Sequence, residues 1–204
     1  MDCKALNELF KEWKKEQGNE PNDSCEKTFP KNANGQIPNI EEYKSSFCVD
    51  GFLSDKFNGV LFVLKESNTE GNPELNDTFW FKDCQGAKRW KLYRNGMIIY
   101  LEKCVGKGLK YQECAYMNLN KRGGYGKCND EQLTNYVNNE KYKQFILKQI
   151  EIINPKHIIC CGSKTVYRLV LSIIKDTMPS VEVYDCYHLS CSKRVYTQNN
   201  AEIN

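Results

Sequence analysis

Polar side chains that can handle protons and hydrogen bonds follow apolar segments at three places in the 204-residue sequence. A carboxylate and an amide, Glu66 and Asn68, come just after an apolar run. Asn118 follows a second apolar segment, and the imidazole of His188 follows a third. Because ligands bind at the carboxyl ends of the strands in an open α/β sheet, we expect these side chains to converge on one active site.

Each of these groups has a definite chemical use. Glu66 is a candidate to orient water or to balance positive charge on a sugar, as carboxylates do at glycosidic bonds, and Asn68 is its rival for positioning the water. Asn118 offers the donor and the acceptor that complement a pyrimidine edge. His188 can donate to a base oxygen on which negative charge develops. The structural alternatives are a Glu66 that caps a helix or pairs with Lys65, a turn residue at Asn118 and a solvated His188.

Two further clusters are candidates for binding phosphate. The first opens a predicted helix, where backbone amides attract anions, and comprises Gly162, Ser163 and Lys164. The second comprises Ser190, Ser192, Lys193 and Arg194. Leu189, in front of the second cluster, is a candidate wedge for the gap that a flipped nucleotide leaves. The basic, glycine-rich segment 120–126 is predicted to be a flexible loop that approaches DNA. For both phosphate clusters, a solvated surface is the alternative.

Four apolar segments of strand length must position these groups, at 59–64, 114–117, 157–161 and 181–187. Continuous apolar runs are typical of parallel strands buried on both faces, and helical apolar spacing follows two of them. This alternation predicts an α/β protein with three α/β/α layers around a central parallel, doubly wound four-stranded sheet.

The length of the chain favours a single domain over residues 1–204. Residues 1–50 are predicted to be an N-terminal helix with an irregular extension. The helix buries Leu6, Leu9, Phe10 and Trp13 on one face and stops at Gly18. Residues 69–112 are predicted to be an expanded insert with a helical segment at 97–101.

Composition limits the function classes. The chain is 40% hydrophobic and 27% charged, and it has neither an apolar run of about 20 residues nor a signal pattern, so we expect a soluble, cytoplasmic protein with no membrane contact. A net charge of +3 supports DNA binding only if the basic residues cluster on one face. The eleven cysteines include no Cys-x-x-Cys pair, which predicts buried thiols and no metal site. We expect a monomer.

The order and spacing of these segments resemble the uracil-DNA glycosylase superfamily over roughly residues 55–195. Segment 154–162 resembles the family's strand that follows an "R-P-K" sequence. Segment 63–68 occupies the position of the family's first catalytic motif, which reads like G-E-A-P-G or G-I-N-P-G in relatives. Segment 116–118 resembles the strand that places an Asn against the base. Segment 187–190 resembles the final H-P-S-type motif.

The departures from the family pattern concern its cluster and its base pocket. In some branches cysteines hold an iron-sulfur cluster, and two of the matching positions are Arg122 and Tyr142 here. The sequence therefore predicts no cluster and no other cofactor. The first motif lacks its Gly and Pro, and Leu189 stands where Pro is usual in the last. Because the first motif shapes the wall beside the pyrimidine, the excised base stays open.

The resemblance implies a monofunctional DNA glycosylase that flips a nucleotide out of DNA and hydrolyses its glycosidic bond. It assigns catalysis to Glu66, Asn68 and His188, and base binding to Lys65, Asn118 and Tyr187. Lys65 also keeps a lyase step open. A modified pyrimidine, as in phage DNA with modified cytosines, and uracil in repair are both possible substrates. The alternatives from other classes are an inactive glycosylase-fold protein that binds DNA or a partner, and a hydrolase of small nucleotides.

Overall fold

The computed structural model describes residues 1–19, 40–69, 72–83, 90–124, 128–191 and 196–197. Its helices are α1 Cys3–Asn19, α2 Ile40–Ser45, α3 Trp80–Asp83, α4 Trp90–Tyr100, α5 Asp130–Asn138, α6 Glu140–Ile153 and α7 Lys164–Ile174. Single turns of tighter or wider helix occur at Pro73–Leu75, Leu101–Val105 and Tyr111–Glu113. Its strands are β1 Gly51–Phe52, β2 Val60–Asn68, β3 Ala115–Gly124, β4 His157–Gly162, β5 Glu182–Tyr187 and β6 Tyr196–Thr197.

The strands form one sheet in the order β1-β3-β2-β4-β5-β6. The pairings β3–β2, β2–β4 and β4–β5 are parallel, whereas β1 and β6 pair antiparallel at the two edges. The predicted α/β class with a mostly parallel sheet is therefore confirmed. The predicted number of four strands is wrong for the described residues, because each edge strand has only two residues and leaves no pattern in the sequence.

Strand β2 is buried on both faces, and its alternation divides the core into two layers of side chains. Leu61 and Val63 belong to a cluster with apolar residues of α1, α5, α6 and α7. Val60, Phe62 and Leu64 belong to a second cluster with residues of α3 and α4. Successive side chains of a strand point to opposite faces, so a continuous apolar run is what two covered faces require.

The sheet opens between β2 and β4. These strands pair from Val60 with His157 to Val63 with Cys160, whereas β2 continues to Asn68 beside β3 alone. After β2 the chain crosses to β3 on one side, and later to β4 on the other. A crevice of this kind, at the carboxyl ends of strands where the strand order reverses, is where open α/β sheets bind ligands.

Strand β3 is longer than predicted, because residues 120–124 of the expected loop belong to it. A register shift between Glu66 and Ser67 of β2 allows the last residues of β3 to remain paired with β2, with Ser67 opposite Gly123. Both basic residues of the segment are buried: Lys121 Nζ lies 2.6 Å from Asp50 Oδ2, and Arg122 is 1% exposed. The prediction of a basic loop that approaches DNA is therefore wrong for these residues, and 125–127 lie outside the described residues.

The helix predicted near the N-terminus and the helical segment predicted in the insert are both present. The four apolar residues of α1 are all buried, as predicted, although the helix continues past Gly18 to Asn19. Segment 97–101 is helical as predicted. Within the extension, 40–45 is a helix rather than irregular chain, and 20–39 lie outside the described residues. None of the described helices combines the length and the apolar character that crossing a membrane would require.

Candidate active site

A cavity of about 400 Å³ occupies the crevice beyond the point where β2 and β4 part. It is lined by Leu64, Lys65, Glu66, Asn68, Leu92, Tyr93, Cys128, Gly162, His188 and Ser190. Six of these were candidate site residues from the sequence: Lys65, Glu66, Asn68, Gly162, His188 and Ser190. Side chains that are more than 120 residues apart in the chain, such as Glu66 and His188, thus face one space.

The carboxyl group of Glu66 is held by two donors at one of its oxygens. Tyr43 Oη donates to Glu66 Oε2 at 3.3 Å, and Asn120 Nδ2 donates to the same oxygen at 3.1 Å. Burial raises the pKa of Glu66 to about 7, even though these hydrogen bonds and the charge of Lys65 favour the ionised form. A carboxyl group with this pKa can exchange a proton near neutral pH.

Two acceptor atoms beside the cavity have unfilled hydrogen-bonding capacity. Within the described part of the chain, Glu66 Oε1 and Asn68 Oδ1 are buried without a hydrogen-bond partner. An unsatisfied buried acceptor costs about 1–3 kcal/mol, so such groups require an explanation. A bound molecule that donates hydrogen bonds, such as water or the N–H edge of a base, would satisfy both oxygens.

His188 is held as a neutral donor. Its Nδ1 accepts from the Ser190 backbone N–H at 3.3 Å and lies 2.8 Å from Ser190 Oγ, an arrangement that assigns the proton to Nε2. Nε2 lies 3.5 Å from Tyr93 Oη, and the two rings meet edge to face. Burial lowers the pKa of His188, and the charge of Lys65 lowers it further. The Nε2–H group therefore persists as a neutral donor at neutral pH.

The predicted phosphate site at the start of α7 already contains a carboxylate. Asp130 pairs with Lys65 Nζ and accepts from Ser163 Oγ at 3.1 Å and from Thr165 Oγ1 at 3.0 Å. Partial burial raises the pKa of Asp130, but these donors outweigh it and the pKa lies below its usual value. Ser163 is the N-cap residue of α7, but its hydroxyl bonds to Asp130 and not to the helix amides.

The remaining candidate residues lie outside the cavity lining that the structure describes. Asn118 is 2% exposed, and its Nδ2 donates to Ser67 Oγ at 3.0 Å. Tyr187 is 51% exposed, because Cys186 before it packs into the core and successive strand residues alternate. Lys164 is exposed at the start of α7. The predicted phosphate ligands Ser192, Lys193 and Arg194 lie outside the described residues.

Leu189 is a core residue and not an exposed wedge. It is 0% exposed, and a Cβ at Gly96 of α4 would overlap its carbonyl oxygen and lie 2.9 Å from its Cα. The helix thus packs on the backbone of the loop that carries His188. The exposed apolar side chain at the cavity is Leu92 of α4, which is 45% exposed.

Several residues of the site were missed from the sequence. Tyr43 and Gln132 come from α2 and α5, Tyr93 comes from the insert, and Asn120 lies in the segment predicted to be a loop. Only Asn120 carried a usable signal, since in a regular strand it shares a face with Asn118 two residues earlier. The others are tyrosine and glutamine in helices, which a sequence pattern assigns to packing or to the surface.

The two positions that the resemblance matches to cluster cysteines are neighbours. Arg122 Cζ lies 5.8 Å from the ring centre of Tyr142, and the rings of Tyr43 and Tyr136 lie 5.8 and 5.0 Å from the same atom. A guanidinium enclosed by three aromatic rings is a stabilising arrangement in a buried site. Over the described ranges, no group of three or more His, Cys, Asp or Glu side chains has a geometry suited to a metal ion.

We found no family model that matches the chain, and no significant match among curated proteins or solved structures.

Proposed function

We propose that this chain is a DNA glycosylase that flips out a modified pyrimidine nucleotide and hydrolyses its glycosidic bond. The observation that carries the proposal is that Glu66, Asn68 and His188 line one cavity at the strand ends. A carboxyl group, an amide acceptor and a neutral N–H donor are the groups that base excision requires. The proposal includes the finer layout of the sheet, with the four parallel strands as a doubly wound, three-layer core.

In the proposed reaction, the bond between the sugar C1′ and the base nitrogen breaks, and its electron pair leaves with the base. His188 Nε2–H donates to the base oxygen on which negative charge develops, which stabilises the leaving group. The ionised Glu66 faces the electron-poor sugar and accepts a proton from the water that adds to C1′. Asn68 Oδ1 accepts from the water or from the base edge. Glu66 then releases this proton to solvent, the base anion takes up a proton from solvent, and the products are a free base and an abasic site.

Arg122 and Tyr142 give the proposal separate support. Two cysteines that bind one cluster must lie close together, and these matched positions are in contact here although 20 residues separate them in the chain. The order and spacing of the motifs do not depend on that contact. It is therefore consistent with a glycosylase core whose cluster site has been replaced by a cation among tyrosine rings.

The altered first motif, which lacks the Gly and the Pro that shape the wall beside the pyrimidine in the family, favours a modified pyrimidine over uracil. The cavity volume of about 400 Å³ lies within the range of small-molecule sites. A glycosylase of this kind would act in the cytoplasm, as a monomer, against phage DNA with modified cytosines. Excision of uracil in repair is the second candidate, since Asn68 Oδ1 can accept from the N–H of uracil as well as from the amino group of a cytosine.

The test is abasic-site formation on a panel of DNAs, measured as alkali-labile breaks. The panel holds uracil in single and double strands, hypoxanthine, and phage genomic DNA with normal, hydroxymethylated or glucosylated cytosine. We expect breaks in a DNA with modified cytosine. Breaks in uracil DNA alone would select the repair function, and breaks in none would overturn the glycosylase in favour of a binding protein. Hydrolysis of free nucleosides instead would select a small-molecule hydrolase.

Variants decide whether the cavity is responsible. We expect Glu66→Gln and His188→Ala each to lower the excision rate by a factor of about 10²–10⁴ while DNA binding is retained. Glu151→Gln is the matched control, because Glu151 is an exposed carboxylate on α6 outside the cavity lining. Excision by Glu66→Gln at the rate of the control would remove the carboxyl group from the mechanism.

A further inference from the structure

We propose that Tyr43, which lies in the N-terminal extension, is a positioning residue that fixes the Glu66 carboxyl group and sets its proton affinity. The role of this pair in excision rests on the proposed function. The effect of Tyr43 on the carboxyl group does not, and it can be measured without a substrate.

The hydroxyl of Tyr43 is placed so that its proton points at Glu66. A tyrosine hydroxyl has one donor and accepts at its lone pairs. Tyr43 Oη accepts from Asn120 Nδ2 at 3.0 Å and from Gln132 Nε2, and it donates to Glu66 Oε2 at 3.3 Å. The side chain is 2% exposed, so water does not compete for these bonds.

The orientation of Asn120 is fixed independently of Glu66. Asn120 Oδ1 accepts from the backbone N–H of Arg122 at 3.0 Å, and this bond requires the amide nitrogen to face the other way. That nitrogen then serves both Tyr43 Oη and Glu66 Oε2. Donors from α2 and β3 thus hold one carboxylate oxygen, and the other oxygen, Glu66 Oε1, is buried without a hydrogen-bond partner in the described part of the chain.

Several titratable groups lie near Glu66, and they differ in their effect on the ionisation of its carboxyl group. Lys65 precedes Glu66 on β2, but its ammonium group pairs with Asp130. Burial keeps the pKa of Cys128 well above its usual value, so this thiol is neutral, and its hydrogen bond to the carboxyl group also favours the ionised Glu66. His188 lines the same cavity and is neutral at pH 7 because burial lowers its pKa. Among the hydrogen bonds that favour the ionised Glu66, the one from Tyr43 has the largest effect, ahead of those from Cys128 and Asn120.

Tyr43→Phe removes the hydroxyl and keeps the ring that packs against Arg122. The carboxylate loses a donor, so its ionised form becomes less favourable and its pKa rises. Tyr136→Phe is the matched control. Tyr136 is also a buried tyrosine beside Arg122, but its hydroxyl donates to Gln17 Oε1 at 2.8 Å.

The experiment is a ¹³C-carboxyl NMR titration of glutamate-labelled protein, with the Glu66 signal assigned by its loss in Glu66→Gln. We expect the Glu66 midpoint to lie about one pH unit higher in Tyr43→Phe than in the wild type, and to be unchanged in Tyr136→Phe. Equal midpoints in Tyr43→Phe and wild type would overturn the proposal. So would an equal rise in both variants, because it would reflect general loosening.

Activity provides the second measurement. We expect the acid limb of single-turnover excision to move to higher pH in Tyr43→Phe by the same amount, with the rate recovered near pH 9. If the titration midpoint of Glu66 shifts in Tyr43→Phe but the acid limb of the excision rate does not, the link between this pair and excision would be overturned. Absence of excision by the wild type on every substrate would refute the proposed function, and the NMR titration would still decide the role of Tyr43.

Discussion

Gly96 of α4 lies against the backbone of Leu189, with no side chain between the helix and the loop that carries His188. We expect Gly96→Ala to destabilise the protein by about 1–3 kcal/mol, since the added methyl group meets backbone that cannot rotate away. Excision should fall as well, because His188 moves with Leu189. Urea unfolding measures the first effect and single-turnover kinetics the second.

Gly18→Ala is the control for that substitution. Gly18 also lies in a helix, but a Cβ there would meet nothing within 4 Å. Alanine favours a helix over glycine by up to about 1 kcal/mol, so this variant should be as stable as the wild type or more so. A Gly96→Ala protein as stable as Gly18→Ala would contradict the close packing.

The raised pKa of Glu66 makes stability depend on pH in a definite direction. The folded protein binds a proton at Glu66 with a pKa of about 7, above the usual value of 4.5, so the unfolded chain loses that proton first. Between pH 4.5 and 7 this group therefore destabilises the fold increasingly as pH rises. Glu66→Gln removes the effect, and its stability relative to the wild type should be greater at pH 8 than at pH 4.

The difference should be about 2 kcal/mol once the shift is discounted for contact of the cavity with water. Urea unfolding at the two pH values measures it, with Glu151→Gln as the control. A relative stability of Glu66→Gln that is the same at both pH values would show that the folded protein does not raise the pKa of this carboxyl group.

The buried pair Lys121–Asp50 should be sensitive to the loss of one partner. Lys121 Nζ also donates to the backbone oxygen of Asn118 at 2.8 Å, and Asp50 Oδ2 accepts from the backbone N–H of Asn118 at 2.8 Å. The pair therefore binds both backbone polar groups of Asn118. Lys121→Met leaves a buried carboxylate without its cation, and we expect a loss of about 3–5 kcal/mol.

A second substitution isolates the charge effect. Asp50→Asn in the Lys121→Met background removes the uncompensated charge and should recover part of the lost stability. Chemical unfolding of the two single variants and the double variant completes the cycle. Additive losses would show that the two charges do not interact.

Leu92 is expected to matter for duplex DNA and not for single strands. It is an exposed apolar side chain at the cavity, next to the exposed Lys91, and apolar side chains can fill the gap that an extruded base leaves. We expect Leu92→Ala to lower excision from duplex DNA by about tenfold and to leave single-stranded DNA unaffected. Ile98→Ala, at a similarly exposed position of α4 outside the cavity lining, is the control. Equal losses on both DNAs would exclude a wedge role.

The central strands and the cavity edge were predictable because burial on both faces leaves a continuous apolar run, as in 59–64. The polar residues that follow such a run lie at the carboxyl end of the sheet, which brought Glu66, Asn68 and His188 to one place. The position of these residues at the ends of strands was enough to predict that they share one cavity, because that prediction does not depend on their hydrogen-bond partners.

Other residues depended on partners that are distant in the chain. Lys121 and Arg122 follow an apolar segment beside glycines, a pattern typical of an exposed loop. Their burial requires Asp50 and a group of tyrosines from three helices, which no local pattern specifies. The inward orientation of Leu189 likewise depends on Gly96, 93 residues earlier. Tyr43 lies in a segment whose composition is typical of irregular chain.

The parting of β2 from β4 after Val63 and Cys160 has a consequence for engineering. The separation of the two strands is set by their backbones, so exchanging Asn68, Leu92 or Ser190 would change what the rim of the cavity recognises while the strands keep their positions. Selection for a new base could therefore work through libraries at these rim positions, while the strands that carry them stay constant.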